Sequence, residues 1–396
     1  MKNLIQNPTL IANKMEVPHI RFDGNSPTLD DVMVDGKPEE WNHLQMDAHG
    51  LFLNGLWQAL NQKIIDKTDI NKKRQEVIQL FPTFFEKANF WKLEDAGAWE
   101  EINRRNSSSI AIVTCALGLW LKENSLTKTL KLNRTQLSDL IAKGLATVRR
   151  QIALGGESPD YDLYKDASLF RRADAALFNL VLPTPLPGLS EQDLRHTLAI
   201  IETLKRPAGI LRYQNDSYQG GNYWIENPIK APKKLVEKRT TEPNVNNEKK
   251  PSETGDASGL KAFLGRLEQL PPGTEAQWFF DSKLALIRLE LRKLAILRKD
   301  QRQADQDLSM ASLHIKRALG QMTGHKGNRP LITADGKPVK DWLLPESINT
   351  VLMDGKMYLL PSPIAPLNWA KASMSLALNQ MMEALNGMDQ SSMLTK

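Results

Sequence analysis

The sequence predicts a mostly α-helical chain. Apolar residues recur at helical spacing in several long segments, strand-type alternation is nearly absent, and capping residues stand where two of those segments begin. The segments are Asp47 to Lys63, Asn106 to Leu121, Thr135 to Leu154, Glu191 to Leu204, Gln277 to Leu297, Leu308 to Gly320 and Asn368 to Leu385. Asn133 precedes the third and Ser190 the fourth, each offering a side-chain oxygen to the free N–H groups of a helix start. Ser109 to Leu121 is the most hydrophobic stretch, but it is shorter than the ~20 residues of a membrane span and reads as a buried helix.

At 396 residues the chain exceeds the usual single domain, yet one large helical domain can bury that much in one core. The expected organisation is one domain over 1–388 and a flexible tail over 389–396, with residues 228–258 a disordered insertion. That insertion is rich in Lys, Glu, Pro, Asn, Thr and Ser and has no aromatic residue, a composition that cannot bury enough surface to order itself. Its charges nearly cancel, which favours a solvated loop over a docking site.

The net charge is +6, but basic residues are scattered among 46 acidic ones. No basic-aromatic stripe appears, so no nucleic acid is expected as a partner, and no membrane. The single cysteine, Cys115, lies in an apolar run, which excludes an internal disulfide and fits a buried thiol in a reducing, cytoplasmic compartment. Residues 1–15 lack the apolar core of a signal peptide. No His-Glu-x-x-His or Cys-x-x-Cys spacing occurs, so neither metal nor cofactor is expected.

Four stretches carry chemistry. Trp41-Asn42-His43-Leu44-Gln45-Met46-Asp47-Ala48 and Trp99-Glu100-Glu101-Ile102-Asn103 combine indole rings with carboxyl and amide groups. A carbohydrate site needs that combination, because an aromatic face stacks on a sugar ring while carboxylates and amides bond its hydroxyls. Acidic residues near a helix start also have a plainer explanation in the helix dipole. Residues 207–224 bring together Arg212, Tyr213, Asp216, Tyr218, Tyr223 and Trp224 among several glycines and amides, a loop able to face a polyhydroxylated ligand. Arg212 and Asp216, four apart, equally suit a structural ion pair. Finally, Leu344-Pro345-Glu346 precedes Pro366-Leu367-Asn368-Trp369 by about twenty residues; Pro-Glu alone is a common turn.

In this order the stretches resemble the catalytic domain of glycoside hydrolase family 15, the glucoamylase family, and the related amino-terminal domains of phosphorylase kinase α and β subunits. His43-Leu44-Gln45-Met46-Asp47-Ala48 is closest to the phosphorylase kinase version, Trp99-Glu100-Glu101 matches the glucoamylase acid motif, and Arg212-Tyr213-Gln214-Asn215-Asp216-Ser217-Tyr218 resembles the family's Arg-Tyr-Pro-Glu-Asp-Thr-Tyr loop. The resemblance implies an all-α (α/α)6 barrel, a six-hairpin toroid. It makes Glu100 the general acid and Glu346 the general base of an inverting exo-acting α-glucosidase on maltodextrin-like oligosaccharides, with carboxyl groups about 6.5–9.5 Å apart. Trp41, Asp47, Trp99, Glu101, Arg212, Tyr213, Asp216, Tyr218, Trp224 and Trp369 would then bind the substrate.

Two departures qualify the match. The family's Trp-x-Arg-Asp segment does not precede Trp41, and Arg21-Phe22-Asp23 does not supply it. The expectation is a barrel lacking its first one or two helices, which a separate chain or an upstream segment would provide. Asn215 stands where glucoamylases have Glu. A catalytically degenerate sugar-binding or regulatory protein of the phosphorylase kinase type, or a gene fragment, is therefore the alternative.

Overall fold

A computed structural model describes residues 1–13, 15–34, 36–39, 41–122, 133–160, 170–216, 218, 273–324, 333–334, 337–353 and 356–387. The insertion expected at 228–258, the tail at 389–396 and Trp224 lie outside them. The described residues fall into two compact units, one within Met1–Arg172 and Asn179–Leu189, the other within Ala173–Phe178, Ser190–Glu248 and Phe263–Lys396.

The first unit holds helices α1 (Lys2–Gln6), α2 (Met46–Asn61), α3 (Lys72–Lys87), α4 (Ser107–Lys122) and α5 (Arg134–Leu154), with a short hairpin of β1 (Met33–Val34) and β2 (Lys37–Pro38). Its centre is α4, every residue of which from Ser107 to Trp120 is buried. Helix α4 packs on α2 and α5. Gly50 of α2 lets the helices close, because a Cβ there would stand 2.9 Å from the Val113 backbone nitrogen. The expected Asn133 cap forms, accepting from the Gln136 N–H. Helix α3 was not among the expected segments. Pro82 interrupts its hydrogen-bond ladder and its first turn is entirely polar, yet Phe81, Phe84 and Phe85 are buried by neighbours distant in sequence.

The second unit holds α6 (Glu191–Glu202), α7 (Asp281–Leu297), α8 (Gln301–Leu319) and α9 (Asn368–Leu385). Helix α7 packs against α6, α8 and α9. Ser190 caps α6 in a reciprocal box with Asp193, as its sequence predicts. Helix α8 starts earlier than its apolar periodicity suggests, because the Asp300 side chain accepts from the Gln303 N–H and opens a polar first turn.

The near absence of strands needs correction. The second unit contains a five-stranded antiparallel sheet in the order β3 (Lys205–Arg206), β4 (Gly209–Ile210), β5 (Gln277–Trp278), β6 (Ser347–Met353) and β7 (Lys356–Pro361). Strands β3 to β5 are too short for a period of two to register. Ser347 to Thr350 of β6 are all buried, so that strand does not alternate between core and solvent. The apolar run expected to start a helix at Gln277 supplies β5 first, and the helix begins at Asp281.

Partly buried ion pairs join the helices of this unit. Arg195 reaches Glu191 and Asp307, each at 2.7 Å, while Arg288 bridges Asp307 at 3.1 Å and Glu202 at 2.7 Å. His314 and Arg317 both meet Asp281 Oδ1 at 2.8 Å, and Arg317 also donates to the Arg206 carbonyl, binding α8 to the sheet. Burial alone would push the Glu202 carboxyl up, but His314 and Arg288 beside it overcome burial and hold it down to about 2. A depressed carboxyl contributes stability above its unfolded value near 4.3 and loses it as pH falls through the folded one. Glu202→Gln is therefore expected to melt below the wild type at pH 7, with the two melting temperatures converging as the pH approaches 2; thermal melts across that range check it.

Candidate functional site

In the first unit the chemistry gathers on a loop closed by residues 95 and 104. Asp95 and Arg104 exchange two backbone hydrogen bonds, 2.8 and 2.9 Å, and the Ala96 N–H donates to the Leu44 carbonyl. Inside the loop a single 3-10 turn, Gly97–Trp99, ends at Glu100 in the left-handed region, φ 57°. Gly97 is also left-handed, φ 61°, and a Cβ there would lie 2.6 Å from the Asn106 amide nitrogen.

The Asp95 side chain fastens this loop to α2. Gln45, at the N-cap of α2, provides no side-chain cap; the Met46 N–H donates instead to Asp95 Oδ2 at 2.8 Å. The Asn106 amide donates to Asp95 Oδ1 at 2.9 Å. A carboxylate at a helix N-terminus satisfies a free N–H and complements the dipole, worth about 0.5–2 kcal/mol. Glu157 treats α4 the same way, accepting from the Ser108 N–H at 3.1 Å and from the Ser108 hydroxyl.

Amides and arginines position the acids. Gln45 Nε2 donates to Glu100 Oε1 at 3.3 Å, and Asn42 donates to Asn103 at 2.9 Å. Glu101 is held by Arg104 at 3.5 Å and Arg171 at 3.4 Å, both arginines nearly buried. Glu101 is thus a structural anion first, consistent with a supporting role.

Trp41, Trp99 and Asp47 are only 7%, 9% and 5% exposed. The Arg21 guanidinium lies 4.2 Å from the Trp41 ring centre and pairs with Glu39 at 3.3 Å. Beside it, His43 stacks on His19 at 4.0 Å and accepts the Ile20 N–H at Nδ1. Burial, then the neighbouring His19, pushes the His43 imidazole down to about 4, so it is neutral and can accept that bond.

In the second unit the sheet register builds the site. Trp278 of β5 faces Ile210 on one side and Ser347 on the other. Arg212 follows Ile210 by two residues and Glu346 immediately precedes Ser347, so both arrive at Trp278. Arg212 grips Asp216 through two bonds of 2.6 Å, and its Cζ lies 4.8 Å from the Tyr218 ring centre and 5.3 Å from that of Trp278. The two are the bidentate ion pair that their spacing allows. Both are buried, and breaking such a pair costs about 3–5 kcal/mol. Tyr213 is buried and bridged to Asp174 through its backbone.

Tyr218 donates its hydroxyl to Glu346 Oε2 at 3.3 Å. Burial pushes the Glu346 carboxyl up to about 7, against the downward pull of Arg212 and of the Tyr218 bond. Trp369, 43% exposed, meets Phe279 and Phe280 edge-on and has the Lys283 amino group 4.2 Å above it. Burial among these rings pushes Lys283 down to about 7.

Sequence reading missed Asp95, Asn42, Gln45, Arg104 and Arg171 around Glu100 and Glu101, Trp278 beside Arg212 and Tyr218, Glu275 on Asn215 and Lys283 over Trp369. Glu275 is instructive. Its carboxylate accepts the backbone N–H of Asn215, which is left-handed at φ 62°, and so fastens the Arg212–Asp216 turn to the start of β5. Gln45 and Asn42 lie inside a quoted motif and could have been chosen; Glu275 gives no local signal. Among the described residues no cluster of His, Cys, Asp or Glu could hold a metal ion, and no helix is long and apolar enough to cross a membrane.

The chain is similar in structure to the glucoamylase from Saccharomycopsis fibuligera. The TM-score is 0.51 at 14% sequence identity, covering 88% of this chain and 72% of that one, which supports the mostly helical (α/α)6 fold class. In sequence it is 42% identical over 100 residues to the uncharacterized lipoprotein YgeQ of Escherichia coli (strain K12), a match spanning 24% of this chain and 38% of that relative. The profile of glycosyl hydrolases family 15 matches residues 28–264, more than half of the chain. The chain belongs to glycosyl hydrolases family 15.

Proposed function

We propose that the protein is an inverting, exo-acting α-glucosidase that releases the terminal glucose of maltodextrin-like oligosaccharides. The observation that carries this reading is Glu346. It is a half-buried carboxyl raised to about 7, fixed by the Tyr218 hydroxyl and facing the Arg212 charge, in a chain of glycosyl hydrolases family 15. A group balanced between its two forms near neutrality suits general catalysis. In the proposed reaction Glu100 gives its proton to the glycosidic oxygen as the bond to the anomeric carbon breaks. Glu346 takes a proton from the water that attacks that carbon from the opposite face, so the anomeric configuration inverts. Trp369, with its exposed ring, stacks on sugar, while Arg212 and Asp216 shape the field around Glu346. We place the reaction in a reducing, cytoplasmic setting on the single buried thiol; the relative named a lipoprotein points elsewhere, and fractionation of expressing cells distinguishes the two.

The phosphorylase-kinase-like stretch His43 to Ala48 favours a second reading, a sugar-binding or regulatory module that does not cleave. Hydrolysis of maltotriose, with the anomer of the released glucose followed by NMR, separates the two, because only the enzyme yields β-glucose. Glu346→Gln is expected to lower kcat by roughly 10²–10⁴-fold with every substrate. Glu100→Gln should do the same with maltotriose but much less with α-glucosyl fluoride, whose leaving group needs no protonation; equal loss on both substrates removes Glu100 from the acid role. A base with a raised pKa is active only when ionised, so wild-type kcat/KM is expected to rise with pH through about 7. A flat profile from pH 5 to 8 would exclude Glu346 as that base.

A further inference from the structure

Asp47 is the second residue of α2 and is 5% exposed. Its Oδ1 is sealed from solvent and has no hydrogen-bond partner among the described residues. The next carboxyl, Asp95, is 1% exposed but fully engaged, with the Met46 N–H on one oxygen and the Asn106 amide on the other. Burial pushes both carboxyls up, but Asp95, bonded by more donors, only to about 6, whereas Asp47 is bonded by its own and the Ala48 backbone N–H and its Oδ1 has no hydrogen-bond partner among the described residues. Two adjacent buried carboxyls do not both ionise without a cation, and the proton belongs to the one with fewer donors.

Among the described residues the charged groups that act on Asp47 are Asp95 and Glu100, both acids, while the arginines Arg104 and Arg171 pair with Glu101. On α2 itself His49, pushed down to about 4 by burial, is neutral and bonded to the Pro18 carbonyl.

We infer that Asp47 stands in the protein as a neutral carboxylic acid, a buried proton-holding group coupled to Glu100 rather than a sugar-binding carboxylate. Burial, then Asp95, then Glu100 push its carboxyl up, in agreement with that arrangement. The consequence for function rests on the proposed glycosidase reading. When Glu100 gives up its proton, its carboxylate forms beside one anion, Asp95, as long as Asp47 is neutral. Once Asp47 ionises, a further negative charge stands beside Glu100 and its carboxyl holds the proton more tightly, so Glu100 stays in its acid form to higher pH. Asp47 is therefore a positioning residue that extends the reaction on the alkaline side.

The test uses Asp47→Asn, which has the shape of the protonated acid and cannot ionise. A carboxyl that is neutral when folded but ionised when unfolded destabilises the fold above its unfolded pKa near 3.9, and increasingly so until the folded group itself ionises. Thermal melts are expected to show Asp47→Asn above the wild type by about 3 °C or more at pH 7.5, with the difference vanishing near pH 4. This readout holds whether or not the protein is a glycosidase. For the enzyme, the ratio of kcat/KM on maltotriose at pH 9 to that at pH 6 is expected to be about tenfold lower in Asp47→Asn, whose Glu100 loses its proton at lower pH. A variant less stable than the wild type at pH 7.5, or an unmoved pH ratio in an active enzyme, overturns the inference. If wild-type protein cleaves no glucoside but the melts behave as stated, the proposed function fails and the neutral acid stands.

Discussion

A single carboxylate, that of Asp95, connects the start of one helix, the cap of a second and the loop that carries Glu100. One oxygen ends the hydrogen-bond deficit of α2, the other holds Asn106 just ahead of α4, and its backbone closes the loop against Arg104. The energy of each bond is modest, about 1 kcal/mol net. Their common origin in one side chain is what matters, since α2, α4 and the acid motif cannot shift independently. The left-handed turn at Gly97 and Glu100 follows from this closure, because ten residues must leave and return to the same point.

The second unit is organised by register instead. A one-residue slip of β6 would carry Glu346 past Trp278 and turn its side chain to the other face of the sheet. Slippage is opposed on every side. Gln321 donates to the carbonyls of Ala208 and Trp278, and Arg317 to that of Arg206, so the short strands β3 to β5 are pinned by α8. The partly buried ion pairs of α6, α7 and α8 hold α8 in turn. The Arg212–Asp216 pair then stands in a fixed field beside Glu346, with Tyr218 and Trp278 excluding water from it.

Burial decides how the named residues act. Trp41 and Trp99 contribute most as core, and Arg21 covers a face of Trp41, so of these three indoles Trp369 is the one exposed. Glu101 is consumed by two arginines. Glu100, Glu346, Tyr218 and Trp369 keep partial exposure, as does Glu101 beside its arginines. The residues around them act by fixing geometry and charge.

The sequence by itself determined the helical class and the boundaries of most helices. Helical periodicity and caps such as Asn133 and Ser190 act within a few residues, so they are readable locally. The ordered motifs identified the family because side-chain identity at fixed spacing survives in a string of letters. Tertiary structure alone decided the rest. Helix α3, broken by Pro82, depends on contacts for its burial, and strands of two residues exist only through their neighbours. Asp95, Glu275 and Lys283 became part of the site by long-range pairing that no local signal announces. The protonation of Asp47 was the least legible of all, since a carboxyl group's charge depends on which donors, cations and water molecules surround it, and those are assembled only when the chain is folded.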